Sequence, residues 1–267
     1  MPPVIGKETK FKSSVYGPVT SWRVGQSLGV DLLLQTSTCS FNCIYCQLGN
    51  IQQKTIERKI YVETDQVERD FKNSDWQQAD IVTLSGSGEP TLALNLSEVI
   101  HFIHEYSQKP VMVLTNGTTL EQPEVRQDML KADVVAIKLD ASDDEILKRM
   151  NRPVDGVTLE KIVTGAKAFR KDYKGKLCLQ CMFMPGNLSE AEAIATIANT
   201  IEADEIQLNT PKRPYPLQWV LESRGNHGEA DYPTQTLRVV SKEEAEQLQK
   251  TFEQLTNCPI VSVYRSA

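Results

Sequence analysis

Short apolar runs alternate with longer helical stretches along most of the chain, and this alternation constrains the fold more than any other feature of the sequence. It is typical of a parallel sheet, because each parallel crossover needs a connection that is usually a helix. The predicted strands cover residues 30–35, 81–85, 111–115, 134–139, 177–184 and 206–209. The predicted helices between them cover residues 43–48, 96–106, 123–131, 159–173 and 189–201. Six β/α units are two fewer than a closed eight-unit barrel, so we expect an α/β fold built as an open, partial (β/α)6 barrel.

The residues after the sixth strand predict a short C-terminal extension of the same domain. It contains a proline-rich segment at 211–216, a polar loop at 224–231, a helix at 242–255 and a short strand at 260–264. We expect a single domain over residues 1–267, with its core at about 17–214 and the extension at 215–267. The chain begins without the features of a secretory signal, and no run approaches the roughly 20 apolar residues of a membrane span. A cytoplasmic protein without membrane contact is therefore expected.

Three of the six cysteines are crowded into TSTCSFNCIYCQLG, immediately after the first predicted strand. Cys39, Cys43 and Cys46 are four and three residues apart, so one loop can wrap their thiolates around a metal centre. A [4Fe-4S] cluster usually takes four thiolates, and a set of three leaves one iron open, as catalytic metal sites generally do. A zinc site or three incidental cysteines is the alternative. Zinc prefers ligand pairs at two-residue spacing with a fourth ligand nearby, and no histidine lies near the triplet.

Small and polar residues follow several predicted strands at their carboxyl ends, where the active sites of parallel β/α folds lie. The second strand leads into Ser87, Gly88 and Glu89, where small residues let the backbone approach a ligand and the carboxylate can accept from an ammonium. Asn116 follows the third strand and Asn209 ends the sixth. An ordinary turn or surface loop is the alternative at each position.

Lys138 and Asp140 lie two residues apart at the end of the fourth predicted strand, so they share one face of it. The rest of that run is apolar, and buried charges are costly unless they are paired or bound. If this face lines the barrel, both side chains can meet a ligand; the alternative is a solvated strand end. Arg152, after the next helical stretch, could bind a carboxylate or lie on the surface.

The cysteine motif, with Tyr45 just before its last cysteine, resembles the signature of the radical S-adenosylmethionine (SAM) superfamily. The wider pattern of GPVTSWRVGQSLGVDLL, the cysteine motif and SGSGEPTL most resembles the group related to the wybutosine-forming tRNA enzymes, of the 4-demethylwyosine synthase type. The resemblance covers roughly residues 17–214 and implies a partial, TIM-like barrel of the radical SAM type.

The resemblance implies that the three cysteines bind a [4Fe-4S] cluster and that S-adenosyl-L-methionine fills the open iron position. Tyr45 would then pack near the adenine, Lys138 would meet the SAM carboxylate and Asp140 a ribose hydroxyl, which makes the Lys138 and Asp140 pair candidate catalytic residues. Ser87 departs from the family's Gly-Gly-Glu-Pro motif, where a glycine stands first. The other implied cofactor-binding residues are Ser87, Gly88, Glu89, Asn116 and Asn209.

In that family the reduced cluster passes one electron into SAM, and the resulting 5′-deoxyadenosyl radical abstracts a substrate hydrogen. The electron would come from an external one-electron reductant of the flavodoxin or ferredoxin type. The substrate could be a small molecule or nucleoside, a tRNA, or a protein partner that receives a radical; a non-enzymatic electron-transfer or sensor protein is the remaining class. The formal net charge of −6 does not favour tRNA. The wybutosine-forming enzymes also carry a second cluster with ligands near the N-terminus, whereas no cysteine precedes Cys39 here.

Basic and aromatic residues follow the sixth predicted strand. Lys212 and Arg213 could address SAM or an anionic substrate, or they could belong to a plain surface loop. Trp219 and the nearby arginines of residues 211–231 could cover a substrate and supply stacking and anion contacts.

The remaining cysteines allow a second metal site or simple core packing. Cys178 and Cys181 lie on the fifth predicted strand and point to opposite faces of it. A second cluster would need both of them with Cys258, whereas buried free cysteine is common in protein cores.

Overall fold

The computed structural model describes residues 13–225 and 232–264. The strands of these residues are β1 (Val15–Ser21), β2 (Gly25–Val30), β3 (Thr38–Cys39), β4 (Gln53–Lys54), β5 (Ile81–Leu84), β6 (Val111–Thr115), β7 (Val134–Lys138), β8 (Lys176–Met182), β9 (Glu205–Asn209), β10 (Tyr215–Pro216), β11 (Thr234–Gln235) and β12 (Ile260–Ser262). The helices are α1 (Thr64–Lys72), α2 (Leu96–Ser107), α3 (Pro123–Met129), α4 (Asp144–Met150), α5 (Leu159–Asp172), α6 (Ala191–Asn199) and α7 (Lys242–Leu255).

The main sheet has eight strands in the order β1-β2-β5-β6-β7-β8-β9-β12. Only β1 is antiparallel to its neighbour, and all other neighbouring pairs are parallel. The strands β5 to β9 match predicted strands, and β2 provides the sixth parallel strand earlier in the chain than predicted, so the α/β, partial (β/α)6 prediction of the fold is confirmed. Because these strands are parallel, their carboxyl ends meet at one rim of the sheet.

Side chains of the sheet alternate between two faces, as the two-residue period of a strand requires. One face packs with the helices into the main hydrophobic core, through residues such as Val82, Val113, Val135, Leu179 and Ile206. The other face is concave and carries a separate, small apolar cluster of Ile81, Met112, Ala136 and Cys178. Nearer the carboxyl rim, this concave face lines a cavity of about 590 Å³.

Helix starts follow local capping rules. Asp143 accepts a hydrogen bond from the Ile146 amide at the start of α4, and Thr158 accepts one from the Lys161 amide at the start of α5. Ser241 opens α7 with a reciprocal capping box that includes Glu244. Among the helices of residues 13–225 and 232–264, none has both the length and the apolar character that a bilayer crossing requires.

The predicted strand over residues 30–35 is wrong, because the strand is β2 and ends at Val30. The Asp31 side chain accepts hydrogen bonds from the Leu33 and Leu34 amides through Oδ1, at 3.0 and 3.2 Å, and so closes a turn. The leucines after Asp31 are buried in a loop, although their apolar character is typical of a strand.

The predicted helix over residues 43–48 is also wrong, since this segment forms two successive turns. The Cys46 amide donates to the Cys43 carbonyl at 3.1 Å, and the Gly49 amide donates to the Cys46 carbonyl at 3.0 Å. The strand β1 and the helices α1 and α4 were not predicted. The other predicted elements agree with the structure within two residues at each end.

The C-terminal residues belong to the same sheet and core. Strand β12 pairs with β9, and α7 packs beside α6. Phe252 of α7 is fully buried and meets the Phe183 ring edge-on, with ring centroids 5.8 Å apart. This packing makes α7 part of the cooperative fold.

We expect Phe252→Ala to lower the free energy of unfolding by about 3–5 kcal/mol, because it leaves a cavity in the main core. Urea unfolding followed by circular dichroism would measure this loss. Gln254→Ala, at an exposed position of the same helix, is the control and should change stability by less than about 0.5 kcal/mol. Equal stability of Phe252→Ala and the parent protein would contradict the placement of α7.

Candidate active site

Cys39, Cys43 and Cys46 all line the cavity, with free thiols. Cys39 ends β3, and the other two follow in the turns after it. Burial raises the pKa of all three thiols, that of Cys46 to about 12, and the neighbouring Cys43 raises the pKa of Cys39 and Cys46 further. All three thiols thus line one cavity.

The chemistry of this donor set fits a [4Fe-4S] cluster. Thiolates are the usual ligands of iron-sulfur clusters, and each thiolate binds a different iron. Within the described part of the chain, no three histidine, cysteine or acidic side chains converge as they would around a single metal ion. Three thiols around a cavity can hold three irons of a cluster and leave the fourth iron facing the cavity.

The turn after β5 is held against Cys39 by its backbone. The Thr38 amide donates to the Ser87 carbonyl at 2.8 Å, and the Glu89 amide donates to the Thr38 carbonyl at 3.0 Å. Gly88 lies between them with φ of 154°, and a Cβ atom there would lie 1.6 Å from the Thr38 carbonyl oxygen. Only glycine permits this approach, so Gly88 fixes Glu89 beside the first cysteine.

Glu89 is buried and faces the cavity with a partly satisfied carboxylate. Oε1 accepts from the Thr91 amide at 3.2 Å and from the hydroxyls of Thr91 and Thr115, both at 2.7 Å. Oε2 accepts only from the Asn116 amide, at 2.7 Å, so it has capacity for another donor. Burial raises the pKa of Glu89, and these hydrogen bonds oppose the rise.

Ser87 and Asn116 make their side-chain hydrogen bonds within the protein. Ser87 is not a wall of the cavity; its hydroxyl donates to Asp31 at 2.6 Å. Asn116 lines the cavity, but its Nδ2 donates to Ser40 at 2.8 Å and approaches Cys39 Sγ at 3.5 Å. In this arrangement both side chains position the loops that carry the cavity residues.

Asp140 holds Tyr45 in place and is not a wall of the cavity. Its carboxylate accepts a short hydrogen bond from the Tyr45 hydroxyl, one from Asn151 Nδ2 at 2.9 Å and one from the Met182 amide at 2.7 Å. The expected contact with a ribose hydroxyl therefore differs from the observed geometry, because these protein donors surround the carboxylate. Tyr45 itself is buried and contributes its ring to the cavity wall.

Lys138 ends β7 and lines the cavity beside the cysteine loop. Its Nζ lies 3.7 Å from Asp140 Oδ2 and 5.1 Å from the centroid of the Tyr45 ring. Burial lowers the pKa of Lys138, but the charges of Asp140 and Cys43 outweigh it and raise the pKa overall. Lys138 is therefore a cation at the cavity wall. Asn209 ends β9 and also lines the cavity, while its Oδ1 accepts from the Thr210 amide at 2.9 Å.

Asn151 contacts the cysteine loop, whereas the ligand-binding residue predicted from the sequence is its neighbour Arg152. Its Nδ2 lies 3.4 Å from Cys43 Sγ and 2.9 Å from the Tyr45 hydroxyl. Its carbonyl accepts from the Asn42 amide at 2.9 Å, which joins the end of α4 to the cysteine loop. Arg152 is exposed. Asparagine is common at helix ends, so no sequence signal marks this position as functional.

A buried ion pair ties the C-terminal segment to the glycine-containing turn. Arg224 donates to Asp31 Oδ2 at 2.8 Å, and the same oxygen accepts from the Ser87 hydroxyl. The Arg224 guanidinium also lies 4.9 Å from the Tyr16 ring centroid, and the Tyr16 hydroxyl is 2.8 Å from Ser85 Oγ. Removal of one partner from such a pair typically costs about 3–5 kcal/mol. The two residues are 193 positions apart, so no local pattern predicts their contact.

Only some of the residues that were expected to cover a substrate line the cavity. Lys212, Arg213 and Arg224 line the cavity, whereas Trp219 packs against the main core and is not a cavity residue. Residues 226–231 of the expected segment lie outside the described residues.

The other cysteines are separated by the sheet. Cys178 belongs to the small cluster on the concave face, whereas Cys181 belongs to the main core on the opposite face. Cys258 is half-buried beside the main core. Within the described residues these thiols do not gather at one point, and core packing describes Cys178 and Cys181.

Several known proteins are similar to this chain in sequence. A family model described as the Radical SAM superfamily matches residues 33–197. A UPF0026 protein of Synechocystis sp. is 40% identical over 92% of this chain and 95% of that protein. A Sulfurisphaera tokodaii protein named Probable GTP 3′,8-cyclase is 26% identical over 70% of this chain and 57% of that protein.

The fold also resembles a solved structure, that of SuiB from Streptococcus suis bound to the precursor peptide SuiA. The TM-score is 0.63 at 12% sequence identity, over 90% of this chain. The chain spans 50% of the length of that protein. The likeness shows that the two proteins share a fold.

We expect Gly88→Ala to reduce the iron retained after anaerobic reconstitution to less than about a tenth, because the new Cβ forces the turn away from Thr38. Iron and sulfide analysis would measure this. Gly186→Ala is the matched control, since a Cβ there meets no atom within 4 Å. Full iron content in Gly88→Ala would show that the turn does not position the cysteine loop.

Proposed function

The chain belongs to the radical SAM superfamily, whose members are enzymes that use a [4Fe-4S] cluster and SAM, and we propose that it abstracts hydrogen from a small-molecule or nucleoside substrate. One observation carries this proposal: three free thiols, a carboxylate and an ammonium line the same cavity. These are the groups that a cluster with an open iron and the amino-acid end of SAM require.

The chain's own residues divide the binding between them. When bound and reduced, the cluster supplies one electron that breaks a sulfur-carbon bond of SAM, giving methionine and a 5′-deoxyadenosyl radical that takes a hydrogen atom from the substrate. In the proposed complex, the thiolates of Cys39, Cys43 and Cys46 would hold the cluster. Glu89 Oε2 would accept from the methionine ammonium, and Lys138 would pair with the methionine carboxylate.

Part of the cavity wall is apolar, which suits radical chemistry. Phe41, Leu48 and Met182 are among its apolar walls, beside the cysteine loop and the end of β8. Exclusion of water and of other hydrogen donors protects a reactive radical from side reactions. Tyr45 contributes an aromatic wall on which an adenine ring can pack.

A small molecule or nucleoside is the substrate class that we propose. The cavity of about 590 Å³ lies within the range of about 300–1,000 Å³ that is typical of ligand pockets, and SAM and the cluster would share it, so the remaining space suits a small substrate. The name of the Sulfurisphaera tokodaii relative refers to GTP, which supports a ligand of nucleotide type. Electrons would come from a flavodoxin or ferredoxin.

A tRNA-modifying activity of the wybutosine type is the second candidate, because basic residues line the cavity and would also attract a polyanion. It requires a basic outer face, whereas the chain has a net charge of −6. A gel shift with bulk tRNA separates the candidates. Steep weakening with salt would favour tRNA, and no shift at low salt would exclude it.

We expect the reconstituted and reduced protein to form 5′-deoxyadenosine from SAM, measured by liquid chromatography. Alanine at Cys39, Cys43 or Cys46 should abolish this product, because each change removes one iron ligand. Cys258→Ser, outside the cavity, is the control and should retain the activity. A fully loaded protein that forms no 5′-deoxyadenosine would instead indicate an electron-transfer or sensor protein.

We expect Asn151→Ala to shift the reduction potential of the cluster to a more negative value. Hydrogen bonds to cluster sulfurs stabilise the added negative charge, and the Asn151 amide is placed to donate one to Cys43. A redox titration followed by electron paramagnetic resonance would measure the shift. Asn73→Ala, on the exposed end of α1, should leave the potential unchanged. An unchanged potential in Asn151→Ala would show that its amide does not act on the cluster.

A further inference from the structure

The cavity is strongly basic in a chain that is acidic as a whole. Among the described residues that line it, Glu89 is the single carboxylate. The cationic residues of the lining are Arg23, Lys138, Lys212, Arg213 and Arg224. The net charge of the whole chain is −6, so this concentration of positive charge is local.

Three of these cations have partners within the protein. Arg224 is paired with Asp31 at 2.8 Å, and Lys138 is near Asp140 at 3.7 Å. Lys212 donates to the Val263 carbonyl at 3.2 Å and lies over the Tyr264 ring. Their charges are therefore balanced or solvated by groups that the structure already holds.

Arg23 and Arg213 are different. In residues 13–225 and 232–264, neither guanidinium forms an ion pair or donates a hydrogen bond to a protein group, and Arg23 contacts the neighbouring Trp22 ring, 5.0 Å from its centroid. Burial and the charge of Arg213 lower the pKa of Arg23 to about 10, and burial lowers the pKa of Arg213. Arg23 is half-buried and Arg213 is exposed, and both line the cavity. Among the described residues neither cation has an acidic partner, so an anion that enters the cavity can pair with both.

These two arginines come from opposite parts of the fold. Arg23 lies on the hairpin between β1 and β2, and Arg213 follows β9. If Lys138 pairs with the SAM carboxylate, as the proposed function has it, the two arginines remain available for the substrate.

We propose that Arg23 and Arg213 together bind a phosphate group of the substrate, which makes the substrate a phosphorylated small molecule. A phosphate monoester carries a charge of about −1.5 to −2 at neutral pH, which matches two guanidinium groups better than a carboxylate does. Each guanidinium can also donate two parallel hydrogen bonds to phosphate oxygens. The assignment of this anion to the substrate depends on the proposed function, whereas phosphate binding by the two arginines does not.

The test uses the reconstituted protein saturated with SAM, so that the SAM subsite is filled, and inorganic pyrophosphate as the probe. Isothermal titration calorimetry at constant ionic strength should show binding to the parent protein. Arg23→Gln and Arg213→Gln should each weaken it by about 10- to 100-fold, because each removes a charge-assisted interaction. Arg23→Lys should weaken it less than Arg23→Gln, since the charge is kept.

Arg69→Gln is the matched control, because it removes the same charge from an exposed position of α1 outside the cavity. It should leave pyrophosphate binding unchanged. Thermal unfolding of each variant establishes that it is folded, and Arg213, which is exposed at the cavity mouth, provides a test even where a change at Arg23 disturbs the fold.

Four results would overturn the proposal. The parent protein could fail to bind pyrophosphate, or Arg23→Gln and Arg213→Gln could bind it as tightly as the parent protein does. The parent protein could bind succinate as tightly as pyrophosphate, or the two glutamine variants could lose affinity for SAM as much as for pyrophosphate. Tight binding of a short RNA would also overturn the proposal if Arg69→Gln weakens it as much as Arg23→Gln does. That result would indicate a surface that binds polyanions rather than a phosphate site in the cavity. Formation of 5′-deoxyadenosine, measured in the same preparations, separates the two proposals. Its absence with intact pyrophosphate binding rejects the proposed reaction alone.

Discussion

The backbone contact between Thr38 and Gly88 is the constraint on which the rest of the site depends. Thr38 precedes Cys39, and Gly88 precedes Glu89. Two hydrogen bonds between these segments therefore set the distance between the first cysteine and the carboxylate that is proposed to bind the SAM ammonium. Main-chain groups make this contact, so it does not depend on a side-chain rotamer. The loops after β2 and β5 are thereby joined at the rim of the sheet, and glycine is required because any Cβ would overlap the Thr38 carbonyl.

A second set of contacts holds the other end of the cysteine loop. Asp140, Asn151 and Tyr45 are buried and hydrogen-bonded to one another, and Asn151 also reaches the Cys43 sulfur. A buried polar network stabilises one arrangement only when its members are satisfied, and the Asp140 carboxylate meets this condition with protein donors alone. Asp140 is therefore a positioning residue in this geometry. Asp140 also raises the pKa of Lys138, and the distance of 3.7 Å between Lys138 Nζ and Asp140 Oδ2 leaves the Lys138 ammonium able to bind a ligand.

The sequence predicts those parts of the site in which neighbouring residues act together. The cysteine triplet, the turn at Gly88 and Glu89, and the polar strand ends are local patterns, and the parallel sheet brings them to one rim. Contacts between distant positions escape this logic: Asp31 meets Arg224 across 193 residues, and nothing near Arg23 indicates that its side chain enters the cavity. The strand prediction at residues 30–35 fails for a related reason. The leucines after Asp31 are buried, as strand residues often are, but hydrogen bonds from their amides to the Asp31 side chain form a turn there. The superfamily follows from the local motif, whereas a subgroup depends on the longer-range features that choose a substrate.

The C-terminal segment connects the substrate side of the cavity to the cofactor side. Strands β1 and β12 are the two edges of the sheet, so the partial barrel is open between them. The chain after β9 crosses this opening: the Gln218 carbonyl lies so close to Gly49 that a Cβ there would be 2.6 Å away, and Arg224 reaches Asp31 behind the turn of Gly88. Arg213 begins this crossing segment, whose later residues are fastened to both loops that carry the proposed cofactor ligands. The segment from Arg213 to Arg224 thus connects the proposed phosphate site with the loops that carry the proposed cofactor ligands.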